Sequence, residues 1–223
     1  QAWFKARVKN TEAVGSFMMF NPQEIPLDRL TYRAGKRLFD IGFSLLVVIL
    51  LFSWLFPLIA LIIKLESKGP VFFIQRRTGI NNKTFYCLKF RTMRTNLDAD
   101  TRQATKDDDR ITKVGKLLRK TNIDELPQFL NVLKGDMSVV GPRPHMLKHT
   151  KQYSALIEHY KVRHFVKPGI TGWAQVNGYR GLTDELWKME KRVQFDMEYL
   201  EGWTFIWDLR IIMSTLFSKS IYK

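Results

Sequence analysis

From Ile41 to Ile63 the chain carries no charge, and a run of that length leaves few folds open. It is about 23 residues, or roughly 34 Å as a helix, enough to cross the apolar core of a bilayer. Its flanks and position exclude a signal peptide, and on hydropathy alone it reads as a spanning helix. Two further features point elsewhere. Pro57 removes the helical hydrogen bond to the Ser53 carbonyl, and the leg that ends at Phe56 is about 24 Å long, short for a crossing. Arg29, Arg33, Lys36 and Arg37 precede the run, and Lys64, Lys68, Arg76 and Arg77 follow it. The preference of basic residues for the cytoplasmic side therefore pulls both ends to one face. The expectation is a re-entrant helix bent at Pro57, with Ser53 placed to satisfy backbone that the proline frees.

The rest of the chain is polar enough for one compact domain with attachments at 223 residues. Its 36 Lys and Arg against 21 Asp and Glu give a net charge of +15. Such a balance asks for an anionic partner: nucleic acid, anionic lipid or a phosphorylated substrate. The single cysteine, Cys87, excludes an internal disulfide and a cysteine metal cluster. The first residue is Gln1 rather than Met, so the chain is expected to be a fragment or processed product.

Residues 1–35, broken at Asn21-Pro22 and Ile25-Pro26, read as a connector. Val71–Ile74 and Thr84–Phe90 read as short strands around an Asn81-Asn82 turn. Arg110–Lys120 reads as a basic helix, with Asp107–Asp109 as its solvated start. Tyr153, Leu156, Ile157, Tyr160 and His164 fall on one helical face, for the core or for a membrane interface. After a glycine-rich loop, Pro168–Gly181, Thr183 is placed to cap a helix ending near Leu200. Trp203–Phe217 is either core or a second interfacial helix. These elements make the fold class α+β, mostly helical, with a short β-hairpin.

The chemistry concentrates in Thr121–Pro144. Asp124 and Glu125 stand together at the expected start of an apolar helix, with Asn122 and Glu125 spaced for a capping box. A helix N-terminus stabilises anions, which suits an ionised nucleophile. Adjacent helical residues diverge, so one carboxylate can attack while the other holds a cation. Pro142 and Pro144 stiffen the backbone around Arg143, whose planar fork of donors matches a phosphate. Arg119 lies in the basic helix before the pair, and Arg91 reads as a structural pairing residue. Asp196 sits at the edge of the stripe Leu186, Met189, Val193, Met197 and Leu200, where a carboxylate needs a partner. His145 and His149 have i,i+4 spacing but no accompanying acids in a metal-ligand pattern. Neither a Walker motif nor a GxGxxG fingerprint is present.

The segment DELPQFLNVLKGDMSVVGPRP resembles the signature of the bacterial sugar transferases, the monotopic phosphoglycosyl transferases. KRLFD (Lys36–Asp40), GPVFFIQRRTG (Gly69–Gly79), KFRTM (Lys89–Met93), KPGITGWAQVNGYRG (Lys167–Gly181) and FDMEYL (Phe195–Leu200) extend the match over nearly everything after Lys36. The resemblance implies transfer of a hexose 1-phosphate from a UDP-sugar to undecaprenyl or another polyprenyl phosphate. Such a step is the first membrane step of exopolysaccharide, capsule or O-antigen synthesis, at the cytoplasmic face of a bacterial inner membrane. It assigns Asp124 as covalent nucleophile, Glu125 as the Mg²⁺ ligand, and Arg119, Pro142, Arg143 and Pro144 to the phosphate. Arg180 and Asp196 are assigned to the sugar nucleotide, with Tyr179 inserted before Arg180 as in some members. The family bends its re-entrant helix at a Ser-Pro pair; here Phe56 precedes Pro57, and the nearest serine is Ser53. The implied organisation is a connector over 1–35, a re-entrant membrane helix over 36–66 and a catalytic domain over 67–223 with interfacial amphipathic helices, membrane lipid as a partner and a homodimer as in long members. Two other functions compete on the residues alone. A membrane-bound, metal-dependent phosphohydrolase would use the same acid pair, and the charge would allow a nucleic-acid-binding module, although no helix-turn-helix or aromatic-basic RNA motif supports one.

Overall fold

Charges at the start of the apolar run decide how it is attached. The computed structural model describes residues 11–14, 17–20, 25–95, 108–181 and 185–217. In it Leu30–Val47 forms α1, and three charges of its KRLFD segment reach into the rest of the molecule. Lys36 Nζ pairs with Asp208 at 2.5 Å. Arg37 donates to the carbonyls of Val132 and Leu133 at 2.5 and 2.8 Å. Asp40 accepts from the Ser138 hydroxyl and the Val139 N–H, each at 3.0 Å. All five partner residues lie far away in sequence, so α1 is clamped to the body at its polar end. Ahead of it, the connector holds a small antiparallel hairpin of β1 (Thr11–Val14) and β2 (Phe17–Phe20); the Asn21-Pro22 break lies outside the described residues.

The helix continues through a π-helical stretch, Val48–Phe52, leaves helical geometry at Trp54 and resumes as α2 over Leu55–Glu66. The two legs are bent by 58°. The break falls at Ser53–Trp54, where the Pro57 ring would collide with the Ser53 carbonyl in a continuous helix. Breaking there puts Pro57 in the first turn of α2, where its missing N–H costs no helical bond. The Ser53 hydroxyl donates to the Ile49 carbonyl at 3.4 Å, and the Trp54 indole donates to that of Leu50 at 2.8 Å. Ser53 thus reaches a backbone carbonyl four residues earlier, with Trp54 as a helper that the sequence did not flag. Among the described residues no single helix is long and apolar enough to cross a membrane; the bent pair is, by length and composition.

The strands β3 (Phe72–Thr78) and β4 (Thr84–Phe90) pair antiparallel, with Phe73 opposite Lys89. β3 is longer than expected. Asn81 and Asn82 turn the chain at φ 52° and 58°, a left-handed conformation that asparagine tolerates better than most residues. Arg91 ties down the turn after α2: it donates to the Pro70 carbonyl at 2.5 Å and to the Ser67 hydroxyl and carbonyl at 2.8 and 2.9 Å. This is the structural pairing expected of it.

The basic helix α3 spans Lys113–Lys120, capped by Thr112, whose hydroxyl accepts from the Gly115 N–H. It begins three residues later than expected. Asp108 is not a solvated helix start: it is buried and held by Arg110 at 2.6 and 2.8 Å. Downstream come α4 (Gln128–Lys134), β5 (Ser138–Val140) and α5 (Leu147–Leu156). The expected helical face from Tyr153 to His164 is not continuous. The chain leaves the helix at Ile157, passes through left-handed His159 and makes a 3₁₀ turn over Tyr160–His164. Tyr153, Tyr160 and His164 are buried against protein, while Leu156 of the same expected face is exposed, so the face is core only in part.

The glycine-rich loop contains β6 (Gly169–Thr171), parallel to β5, and α6 (Trp173–Val176). Two of its glycines serve close packing: a Cβ on Gly169 would meet the Gly141 nitrogen at 2.1 Å, and one on Gly172 the Gly141 carbonyl oxygen at 2.2 Å. The last described elements are α7 (Leu186–Gly202) and α8 (Phe205–Phe217); the expected cap, Thr183, lies outside the described residues. The main core gathers Phe129, Val132, Met137, Val140, Leu200 and Ile211, with Phe39 and Phe43 of α1 packed on it. A second cluster joins Ile59 and Ile63 of α2 to Phe90 and Leu118. The architecture is mostly helical with small two-stranded sheets, as the class α+β requires.

Candidate active site

Asp124 and Glu125 lie in a 3₁₀ turn, Ile123–Glu125, that joins α3 to α4. Asn122 enters it at φ 58° and makes no side-chain cap bond, so the expected capping box does not form. The helix proper begins three residues after Glu125. Both carboxylates are buried, at 7 % and 5 % exposure, which by itself is unfavourable for charge.

Three cations compensate Glu125. Lys89 Nζ from β4 lies 2.6 Å from Oε1. Arg143 Nη2 lies 2.8 Å from Oε1, with Nη1 3.4 Å from Oε2. Arg180 Nη2 lies 2.7 Å from Oε2. Burial is the largest influence and pushes Glu125 up, yet Arg143, Lys89 and Arg180 together hold it well below the usual carboxylate range. Asp124 differs. Among the described residues its carboxylate makes no hydrogen bond or ion pair. Burial, and then the neighbouring Glu125 charge, push its carboxyl up, against the pull of Lys89, Arg119 and Arg180. A helix start would have lowered it; here the helix proper begins four residues after Asp124.

A second layer of charge holds the arginines in place. Arg163, 1 % exposed, donates to the Arg143 carbonyl at 2.9 Å and pairs with Asp196 at 2.7 Å. Arg192 donates to the carbonyls of Tyr179 and Gly181, at 2.8 and 2.9 Å, on either side of Arg180. His145 lies between the two arginines, with Tyr160 Oη 2.5 Å from its Nδ1. Burial, then Arg163 and Arg192, depress the His145 pKa well below its usual value, so the ring is neutral.

The structure therefore brings Asp124, Glu125, Arg143 and Arg180 together, the last two on one carboxylate, with Pro142 and Pro144 framing the Arg143 loop. Arg119, half-buried, acts on Asp124 by charge alone. Asp196 sits a layer deeper, facing Arg163. Lys89, Arg163 and Arg192 escaped the sequence reading. Lys89 alone carried a signal, as a second cation two residues before Arg91 in the same basic segment.

Two adjacent carboxylates form a limited donor set for a metal. Among the described residues no third Asp, Glu, His or Cys completes a cluster, and Glu125 already meets three cations. Mg²⁺ is commonly held by one or two carboxylates with phosphate oxygens and water for the remainder. The residues therefore fit a metal that arrives with a diphosphate, onto which the three cations can shift.

A model of the family described as bacterial sugar transferase matches residues 31–220. The chain is 49 % identical over 213 residues to a UDP-glucose:undecaprenyl-phosphate glucose-1-phosphate transferase of Xanthomonas campestris pv. campestris, covering 93 % of this chain and 43 % of the relative. A protein of the same description from Escherichia coli K12 is 52 % identical over 192 residues, 86 % of this chain and 41 % of the relative. A UDP-N-acetylgalactosamine-undecaprenyl-phosphate N-acetylgalactosaminephosphotransferase of Aeromonas hydrophila is 44 % identical over 187 residues, 83 % of this chain and 43 % of the relative. The chain spans less than half the length of each of these relatives.

Proposed function

The chain belongs to the bacterial sugar transferase family, and on that premise we propose that it transfers a hexose 1-phosphate from a UDP-sugar to a polyprenyl phosphate, releasing UMP. The observation that carries the reading is the contrast within the acid pair: Glu125 is saturated by three cations, while Asp124 beside it has no hydrogen-bond or ion-pair partner among the described residues. A carboxylate left free next to a set of phosphate-binding cations is arranged as a nucleophile.

In the first step an Asp124 carboxylate oxygen attacks the phosphorus that bears the sugar. The bond from that phosphorus to the bridging oxygen breaks, and UMP leaves with the electron pair. In the second step an oxygen of the lipid phosphate attacks the same phosphorus. The acyl phosphate bond breaks and the Asp124 carboxylate is restored. Two steps keep the two anionic substrates from having to meet directly. Arg143, Arg180 and Lys89 move from Glu125 onto the phosphoryl oxygens and stabilise charge as it develops. Glu125 would hold Mg²⁺, which when bound would supply further neutralising charge to the diphosphate.

The membrane belongs to the same reading. The bent α1–α2 pair leaves Leu38, Leu45, Ile49, Leu50, Leu58 and Leu61 exposed, and α8 exposes Ile206, Met213, Leu216 and Phe217. Apolar surface of this kind suits a lipid partner. With basic flanks on both sides, α1–α2 enters and leaves at the cytoplasmic face. The product would open exopolysaccharide or related glycan assembly, and the varied sugars in the relatives' names leave the hexose to experiment.

The test is a reaction without lipid. Protein mixed with UDP-glucose labelled in the sugar, or another UDP-sugar from a panel, and Mg²⁺ should release about one UMP per chain and retain the label on Asp124. Asp124→Asn should do neither. Turnover by Asp124→Asn, or UMP release only when lipid is present, would defeat the covalent route; continuous UMP release without transfer to lipid would favour a phosphohydrolase.

A further inference from the structure

Beside the cation cluster lies a cleft of about 60 Å³, where a single water needs roughly 10–15 Å³. Glu125, Arg180, Leu126, Phe129, Thr171 and Gln175 are among the residues that line it. Gln175 comes from the short helix α6 and is 3 % exposed. Its Nε2 donates to the Ile170 carbonyl at 3.1 Å. Its Oε1 is buried and has no hydrogen-bond partner among the described residues. An unmet buried acceptor is costly, and folded proteins rarely leave one without a hydrogen-bond partner, from the protein or from bound solvent or ligand. The amide has no useful alternative orientation, because turning it over would set Oε1 against the Ile170 carbonyl. Gln175, a lining residue of the cleft, thus carries an acceptor that the fold leaves unmet. A phosphate oxygen does not answer that demand, whereas a hydroxyl does. The neighbouring Thr171 hydroxyl is already engaged with Thr215 at 2.6 Å.

The geometry points to Gln175 as the residue that reads a hydroxyl of the transferred hexose, a selectivity contact additional to the charge cluster. This inference rests on the reading that the donor is a UDP-sugar. In such a donor the hexose is joined directly to the phosphorus that Asp124 attacks, while the base lies beyond a second phosphate and a ribose. A cleft walled by Glu125 and Arg180 is next to that phosphorus, so the group that enters it is the hexose. A site that hydrogen-bonds a substrate hydroxyl discriminates strongly against an analogue lacking it, because the buried partner is then left unpaired.

The experiment measures kcat/KM for UMP release from UDP-glucose and from its singly deoxygenated and deoxyfluoro analogues at each hexose position. With the wild-type protein one position should stand out, with a loss of about 10–100-fold. Fluorine at that position should not rescue the rate, since it cannot donate. Gln175→Met, which keeps the volume and removes the acceptor, should lower the rate on UDP-glucose and bring that analogue to within about twofold of it. A wild-type protein that treats every position alike overturns the inference, as does a Gln175→Met protein that keeps the discrimination; either result leaves water as the occupant. Discrimination at N3-methyluridine, lost on Gln175→Met, would assign the contact to the base and equally overturn it. If the Met variant fails to fold, as its melting temperature would show, Gln175→Leu takes its place in assigning the contact, and a flat wild-type series overturns the inference without either. Absence of UMP release from any UDP-sugar is a separate outcome and would refute the transfer reading itself.

Discussion

Glu125 is where the charge of the site is balanced. Without substrate its two oxygens hold a lysine and two arginines, so the cations are pre-assembled at little cost in unpaired charge. Arg143 meets it with both terminal nitrogens, a fork that lysine cannot reproduce. Arg143→Lys should therefore lose at least about tenfold in kcat/KM for UMP release, roughly 1.4 kcal/mol; wild-type kinetics would place Arg143 outside the reaction. Asp196 is the opposite case. At 1 % exposure, paired with Arg163, it has the position of an anchor for the layer that holds Arg143. Asp196→Ala should strand buried positive charge and cost about 3–5 kcal/mol, lowering the melting temperature by roughly 6–20 °C with no substrate present. A residue acting on substrate alone would leave that temperature unchanged.

At the scale of elements, the bent α1–α2 pair is the unit to test. Its polar end is fixed by Lys36, Arg37 and Asp40, and its bend is stabilised by Ser53 and Trp54. With both flanks on one side, Arg33→Cys and Lys68→Cys in a Cys87-free protein should react with an impermeant thiol reagent from the same face of sealed vesicles. Labelling from opposite faces would mean that the pair spans. Pro57→Leu should shift part of the population toward spanning, because the ring that collides with the Ser53 carbonyl is gone and a helical bond returns.

At the scale of the molecule, buried histidines tie stability to pH. His164 bonds Asn82 at 2.7 Å; burial, then Arg163 and Lys161, push its pKa down to about 3. His145 is depressed in the same direction. The unfolded chain protonates these rings near pH 6.5 and the fold resists it, so the unfolded state binds more protons below that pH. Stability should therefore fall as pH drops from about 6.5 toward 3. Melting curves between pH 7.5 and 5 should show the decline, and His164→Gln should flatten it. A melting temperature constant over that range would show that neither ring resists its proton.

The uncharged run and its basic flanks, the proline that bends it, the acid pair and the arginine between prolines were all readable from the sequence, because each is a local pattern with a local physical meaning. The hairpin turn was readable for the same reason: two asparagines tolerate the backbone it needs. Lys89, Arg163 and Arg192 were not, since each acquires its role from partners 36, 33 and 13 residues away, and neighbouring sequence says nothing of which cation will face which carboxylate. The same limit explains the two misjudged acids. Asp124 was expected to be lowered by a helix that in fact begins after it, and Asp108 was expected in solvent but is buried against Arg110. Local sequence sets which groups are available and how the backbone can turn; burial and the charges across the cleft, which fix their ionisation and whether they stay free to react, exist only once distant segments have packed.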